Sequence, residues 1–153
     1  MRWRQDKPVI GWREWVSLPD LGVPAIKCKV DTGARTSALH AFSLRTFERD
    51  GVTWVRFAIH PLQRRTRPSV EAEARLFDER HVRSSSGRDE LRPVIETTAV
   101  LRGHAHAIQL TLARRDEMGF RMLLGRQAVR GVYVIDPAHS YLGGKPQTGG
   151  AER

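Results

Sequence analysis

The chain has 153 residues, 40% of them hydrophobic, and carries 26 Lys plus Arg against 17 Asp plus Glu for a net charge of +9. That length and composition suit one domain with a real core and exclude a largely disordered chain. No apolar run approaches the ~18 residues of a membrane span. The N-terminus has charge without the apolar stretch of a secretory signal, and the single cysteine, Cys28, cannot close an internal disulfide, so a cytoplasmic location is expected.

In chain order, residues 8–18 are rich in β-formers and read as a strand that ends at Pro19-Asp20-Leu21-Gly22. A second strand over 25–30 runs into Asp31-Thr32-Gly33-Ala34. Residues 37–47 alternate, and Asp50-Gly51 marks a turn before the β-rich stretch 52–59, so 37–59 reads as one hairpin. A basic loop follows over 63–69, then an extended segment over 70–82 and a polar loop, Arg83-Ser84-Ser85-Ser86-Gly87-Arg88-Asp89-Glu90. Further strands are expected over 91–101 and 106–113. The last block gives a buried strand at Met122-Leu123-Leu124, a turn at Gly125, a short helix over 126–130 and a closing strand over 132–135. The expected domain is 8–142, with flexible termini at 1–7 and 143–153.

Asp31 projects from a strand end into a loop, a rigid place for a carboxylate, and Gly33 allows a tight turn and close approach of a ligand. Asp-Thr-Gly alone equally suits an ordinary Asx or Ser/Thr turn. Paired with Leu123-Leu124-Gly125-Arg126 late in a short β chain, it resembles the retropepsins, half-size aspartic proteases that work as homodimers. The ordered series Glu14-Trp15-Val16-Ser17-Leu18-Pro19, Ile26-Lys27, Val30 through Ala41, His60-Pro61, Arg83 through Gly87 and Met122 through Arg126 is similar to a narrower bacterial family. That family is labelled "ATP-dependent zinc protease", or RimK-associated, RimB-like retropepsin-like proteases.

The resemblance implies a mainly β fold: a closed retropepsin-like barrel, the acid protease fold, with one short helix after Leu-Leu-Gly-Arg. It implies Asp31, Thr32 and Gly33 as catalytic residues. Two carboxylates must share a proton, one activating water and the other donating to the carbonyl oxygen. The chain has one Asp-Thr-Gly, so the second Asp31 is expected from a second copy across a two-fold axis. Asp136, before Pro137, is a rival acid within the chain, although that dipeptide also suits a plain turn.

No cofactor is expected. There is no His-Glu-x-x-His, the histidines are dispersed, one cysteine cannot anchor a thiolate site, and no phosphate-binding Gly-x-x-x-x-Gly-Lys-Ser/Thr loop is present. His104 and His106 share a strand face, where a surface pair is an alternative to a metal site. His40 and His60 are placed to meet across the hairpin.

The resemblance also implies proteolysis linked to RimK, a ligase that adds glutamates to a ribosomal protein. Cationic subsites for such a tail are offered by Arg35 and, around a flap-like loop, by Arg83, Arg88 and Arg92, with Ser84 as a further substrate-binding residue there; pairing of these arginines with Asp89 and Glu90 is the alternative. The expected function is a homodimeric aspartic-type peptidase acting on acidic, poly-glutamate peptide, with a ribosomal protein as possible partner and no membrane. The alternative is a non-catalytic basic β-barrel that binds RNA or ribosome. Against it, the aromatics are few and not interleaved with the basic runs, which leaves few stacking platforms.

Overall fold

The computed structural model describes residues 7–83, 87, 89–114 and 119–146, with Arg83 described by its backbone alone. The strands are β1 (Val9–Ile10), β2 (Arg13–Leu18), β3 (Val23–Asp31), β4 (Ser37–His40), β5 (Phe42–Arg49), β6 (Val52–Ile59), β7 (Val70–Arg83), β8 (Asp89–Leu101), β9 (His104–Ala113), β10 (Met122–Gly125) and β11 (Val134–Ile135). A 3-10 turn, Pro19–Leu21, follows β2, and one short helix, α1 (Arg126–Val129), follows β10.

Strands β2, β3, β10, β4, β9 and β8 form a barrel in that order, and Ser17 of β2 pairs with Val100 of β8 to close it. Beyond β8 the ladder continues through β7, β6 and β5. This mainly β, closed barrel with a single short helix matches the expected fold class.

The barrel closes because its strands alternate. In β2, Glu14, Val16 and Leu18 point inward while Arg13, Trp15 and Ser17 face out. Ile26, Cys28, Leu39, Ile95, Leu110, Leu112 and Met122 fill the interior with essentially no exposed surface. Each large apolar side chain so buried contributes about 1.5–3 kcal/mol. Cys28 is among them, and burial pushes its thiol pKa up to about 12, so it is a core residue rather than a nucleophile.

Glu14 is the most deeply buried polar side chain among the described residues. Its carboxylate is fully buried and accepts backbone N–H bonds from Gly11 (2.6 Å), Leu142 (2.9 Å) and Gly143 (3.1 Å). Glu14 thereby ties the returning chain at Leu142 and Gly143 to the start of β2.

Two expected elements divide. The strand over 8–18 breaks at Gly11-Trp12, where Trp12 N–H bonds the His139 carbonyl and β1 leaves to pair in parallel with β11. The expected hairpin over 37–59 is also corrected. Its first part, β4, enters the barrel between β10 and β9. Only β5 and β6 form a hairpin, around Asp50 and Gly51, both with positive φ. The division falls at buried Ala41, whose N–H bonds the Ala113 carbonyl; Ser37 and Leu39 before it are barrel residues, whereas β5 after it is largely exposed.

Candidate active site

β3 delivers Asp31 to the end of the barrel, and β10 runs parallel beside it with Gly125 opposite Asp31. The approach is close enough to demand glycine. A Cβ on Gly125 would lie 2.4 Å from the Thr36 carbonyl carbon and oxygen. The Gly125 N–H donates instead to the buried Ser37 hydroxyl at 2.9 Å.

The helix that follows secures the rest of the loop. The first N–H groups of a helix lack intrahelical partners. Here the Arg126 N–H bonds the Ala34 carbonyl (2.7 Å) and the Gln127 N–H bonds the Arg35 carbonyl (3.0 Å). The Arg126 guanidinium adds a bond to the Thr32 carbonyl at 2.8 Å. The Leu-Leu-Gly-Arg block therefore positions the Asp-Thr-Gly loop through four hydrogen bonds, one each from Gly125 and Gln127 and two from Arg126.

Asp31 itself is part-exposed, and Thr32 and Gly33 are exposed. The Gly33 N–H donates to Asp31 Oδ1 at 3.0 Å, and the Ala34 N–H bonds the Asp31 carbonyl at 3.2 Å. Space at Gly33 is tight, since a Cβ there would stand 3.3 Å from Asp31 Oδ1 and press on the carboxylate. One carboxylate oxygen is thus oriented by the loop's own backbone. Behind the loop, Thr36, Ser37 and Gln127 border a cleft of about 160 Å3 together with Glu96 and Gln109.

The expected substrate-binding residues separate. Arg35 is exposed in the Asp31 loop. Arg92 lies on the β7–β8 arm, where its guanidinium pairs with Glu90 at 3.0 Å. Arg83 ends β7 opposite Asp89, and Ser84 and Arg88 fall outside the described residues. Asp136 is a turn residue: its carboxylate accepts from the Ala138 N–H (3.0 Å) and pairs with His139 (2.9 Å), which together hold its pKa below the usual carboxylate range.

His40 and His60 both pack against Phe42, whose ring stands 6.5 Å from the first and 4.2 Å from the second. The His104 and His106 rings stack 6.2 Å apart, edge-on to Tyr133. Among the described residues, no three His, Cys, Asp or Glu side chains gather closely enough to hold a metal ion.

Ser37 and the Arg126 side chain were not singled out as site residues from sequence. Their signal was present: a hydroxyl six residues after the acid, and an arginine directly after the glycine of the late block.

A barrel that presents one Asp-Thr-Gly loop, latched by a hydrophobic-hydrophobic-Gly strand and a short helix, has the architecture of a retropepsin-like barrel. The chain belongs to the RimB-like family, described as retropepsin-like aspartic endopeptidase RimB, whose model matches residues 9–146. A "Probable alpha-L-glutamate ligase" of Shewanella halifaxensis is 46% identical over 136 residues, which cover 89% of this chain and 30% of that protein. A Desulfotalea psychrophila protein of the same description is 49% identical over 132 residues, covering 86% of this chain and 28% of that one. The chain thus spans about three-tenths of the length of the curated relatives it matches. The crystal structure of a Legionella pneumophila protein of unknown function shares the fold, with a TM-score of 0.73 at 23% identity, covering 89% of this chain and 98% of that one. Among the described residues, no helix is long and apolar enough to cross a membrane.

Proposed function

We propose that the chain is one protomer of a homodimeric aspartic-type peptidase that hydrolyses acidic peptide, above all poly-glutamate of the kind a RimK-type ligase adds to a ribosomal protein. The observation that carries this reading is the Asp31 carboxylate, oriented by the Gly33 N–H in a loop that β10 and α1 hold from behind. Membership of the RimB-like family supports the peptidase chemistry. The names of the curated relatives support the substrate: proteins described as glutamate ligases contain a segment like this chain.

Two Asp31 carboxyls, one from each copy, share a single proton in this reading, because two close acids do not both ionise cheaply. The ionised member removes a proton from water as the water oxygen attacks the peptide carbonyl carbon, and the protonated member donates to the carbonyl oxygen. The C–N bond of the tetrahedral intermediate then breaks, and the amine leaves with a proton. The pair titrates as one unit. Thr32 and Gly33 face the two-fold axis, and Arg35, Arg83, Ser84, Arg88 and Arg92 are proposed to meet the acidic substrate. β1 and β11 pair in parallel with each other inside the chain, and each keeps its other edge outside that pair.

The test is hydrolysis of poly-glutamate peptide by the wild-type chain and by Asp31→Asn. The variant keeps the fold and the oligomeric state and loses cleavage; wild-type turnover by the purified variant overturns the mechanism.

A further inference from the structure

Across the outer face of β2 and β3, cations and rings alternate. Arg13 stands opposite Lys29 and Trp15 opposite Lys27, and Tyr141 returns over the same face. The Arg13 guanidinium lies 4.5 Å from the Trp12 ring centre and 5.2 Å from that of Tyr141. Lys27 Nζ lies 5.2 Å from Trp15 and 5.6 Å from Tyr141. Lys145 Nζ adds a contact to Trp15 at 5.0 Å.

Of these side chains Arg13, Trp15, Lys27 and Tyr141 line a cavity of about 580 Å3, which the loop carrying Arg64 and Arg65 also lines. That loop is fixed from beneath by buried Arg121, which donates to the Leu62 and Arg65 carbonyls at 3.4 and 3.2 Å. Among the described residues, no carboxylate lines the cavity. Elsewhere arginines meet acids: Arg49 and Arg56 share Glu73, and Arg92 holds Glu90. The cavity therefore concentrates positive charge against low-dielectric rings, which strengthens its field toward an anion.

Its position relates it to the acid. Lys27, Lys29 and Asp31 alternate onto one face of β3. Four residues of strand at ~3.3 Å each separate Lys27 from Asp31 by roughly 13 Å. An extended peptide has the same rise, so a side chain in the cavity belongs to a residue about four positions from a bond at Asp31.

We infer that this cavity is an acid-reading subsite, in which Lys27, Arg13 and Arg65 take carboxylates of a substrate peptide about four residues from the bond presented to Asp31. The inference deepens the peptidase reading above and rests on it for the substrate's identity. Single-stranded nucleic acid is the competing occupant, since cations beside aromatic rings also suit bases and phosphates. The fold thus gathers the Trp12–Trp15 stretch with Lys27, Arg65 and Tyr141, which sequence order keeps apart. The geometry favours the peptide: the chain's own cations already lie over Trp12, Trp15 and Tyr141, leaving cationic heads rather than open rings to a ligand.

The experiment separates binding from cleavage. Fluorescent deca-glutamate, deca-glutamine and a ten-nucleotide RNA are titrated onto Asp31→Asn, alone and with Lys27→Gln plus Arg65→Gln. Deca-glutamate binds in a salt-dependent way, and the double substitution weakens it about ten-fold, as the loss of two charge contacts should. Lys27→Arg in place of Lys27→Gln restores most of the loss, and deca-glutamine does not bind. In the active chain the double substitution raises KM for deca-glutamate and leaves kcat unchanged.

Unchanged deca-glutamate affinity in the double variant overturns the subsite, even if cleavage proceeds. RNA binding that is lost in the double variant without deca-glutamate binding assigns the cavity to nucleic acid and overturns it as well. Deca-glutamate binding that depends on Lys27 and Arg65 with no cleavage by the active chain supports the subsite and removes the peptidase reading.

Discussion

The Arg126 guanidinium donates to the carbonyl oxygen of Thr32 at 2.8 Å, although the two residues lie 94 positions apart in the chain. With the backbone N–H bonds of Arg126 and Gln127 to the Ala34 and Arg35 carbonyls, it makes the late strand-helix block a clamp on the loop that carries Asp31. The clamp places the acid without touching it.

Arg126→Met removes the side-chain part of this clamp and leaves the backbone bonds in place. Because the guanidinium is exposed, the expected stability cost is about 1 kcal/mol or less. The expected loss is in turnover, roughly ten-fold in kcat with KM little changed, since misplacement of a reacting group by even a fraction of its working distance is expensive. Steady-state kinetics on poly-glutamate together with thermal melting separate the two effects. An equal fall in stability and activity would assign Arg126 to folding alone.

Glu14→Ala strikes a different joint. The carboxylate is fully buried and takes three backbone N–H groups, from Gly11, Leu142 and Gly143. Its removal leaves those donors unpaired and frees the chain after Tyr141, at a cost of about 3 kcal/mol. For a chain of this size that lowers Tm by roughly 10 °C. Scanning calorimetry is the measurement, and a shift of only a degree or two would show that water replaces the carboxylate without loss.

His60 sets a pH dependence. Burial, then the nearby Arg121 guanidinium and His40, hold its pKa below the ordinary 6.5. The unfolded chain therefore binds the proton more readily than the folded one, so stability rises with pH through this window. The contribution is present above pH 6.5 and is progressively lost as pH falls below it toward the folded pKa. In His60→Gln the fall of Tm from about pH 7 to about pH 5 becomes shallower than in wild type. A steeper or identical fall would place the titration elsewhere.

Much of the site was legible because its two halves are short segments with strong local preferences. Val30-Asp31-Thr32-Gly33 reads as strand then loop, and Met122-Leu123-Leu124-Gly125 reads as buried strand then turn; the fold sets them side by side as the resemblance implied. The division at Ala41 was not legible. Residues 37–47 alternate, and only the partners β10 and β9, far along the chain, draw Ser37–His40 into the barrel. The cation-ring cavity was hidden for a related reason. Arg13, Lys27, Arg65 and Tyr141 lie in four separate stretches, and no window of sequence contains the surface they make. For Arg92 the sequence left subsite and ion pair both open, and the β8 backbone puts Glu90 beside it.

The short pairing of β1 with β11 has a consequence for architecture. The Val134 N–H bonds the Pro8 carbonyl at 3.0 Å, the Asp136 N–H bonds the Ile10 carbonyl at 2.8 Å, and the Trp12 N–H bonds the His139 carbonyl at 3.0 Å. The polypeptide thus enters and leaves the barrel through adjacent doors at one end, with the ladder of the barrel closed between them. Past this small sheet the returning chain is tied to β2, by the Tyr141 N–H to the Arg13 carbonyl and by the Leu142 and Gly143 N–H groups to Glu14, so a pull on either side is taken up by β1, β11 and β2 before it reaches Asp31.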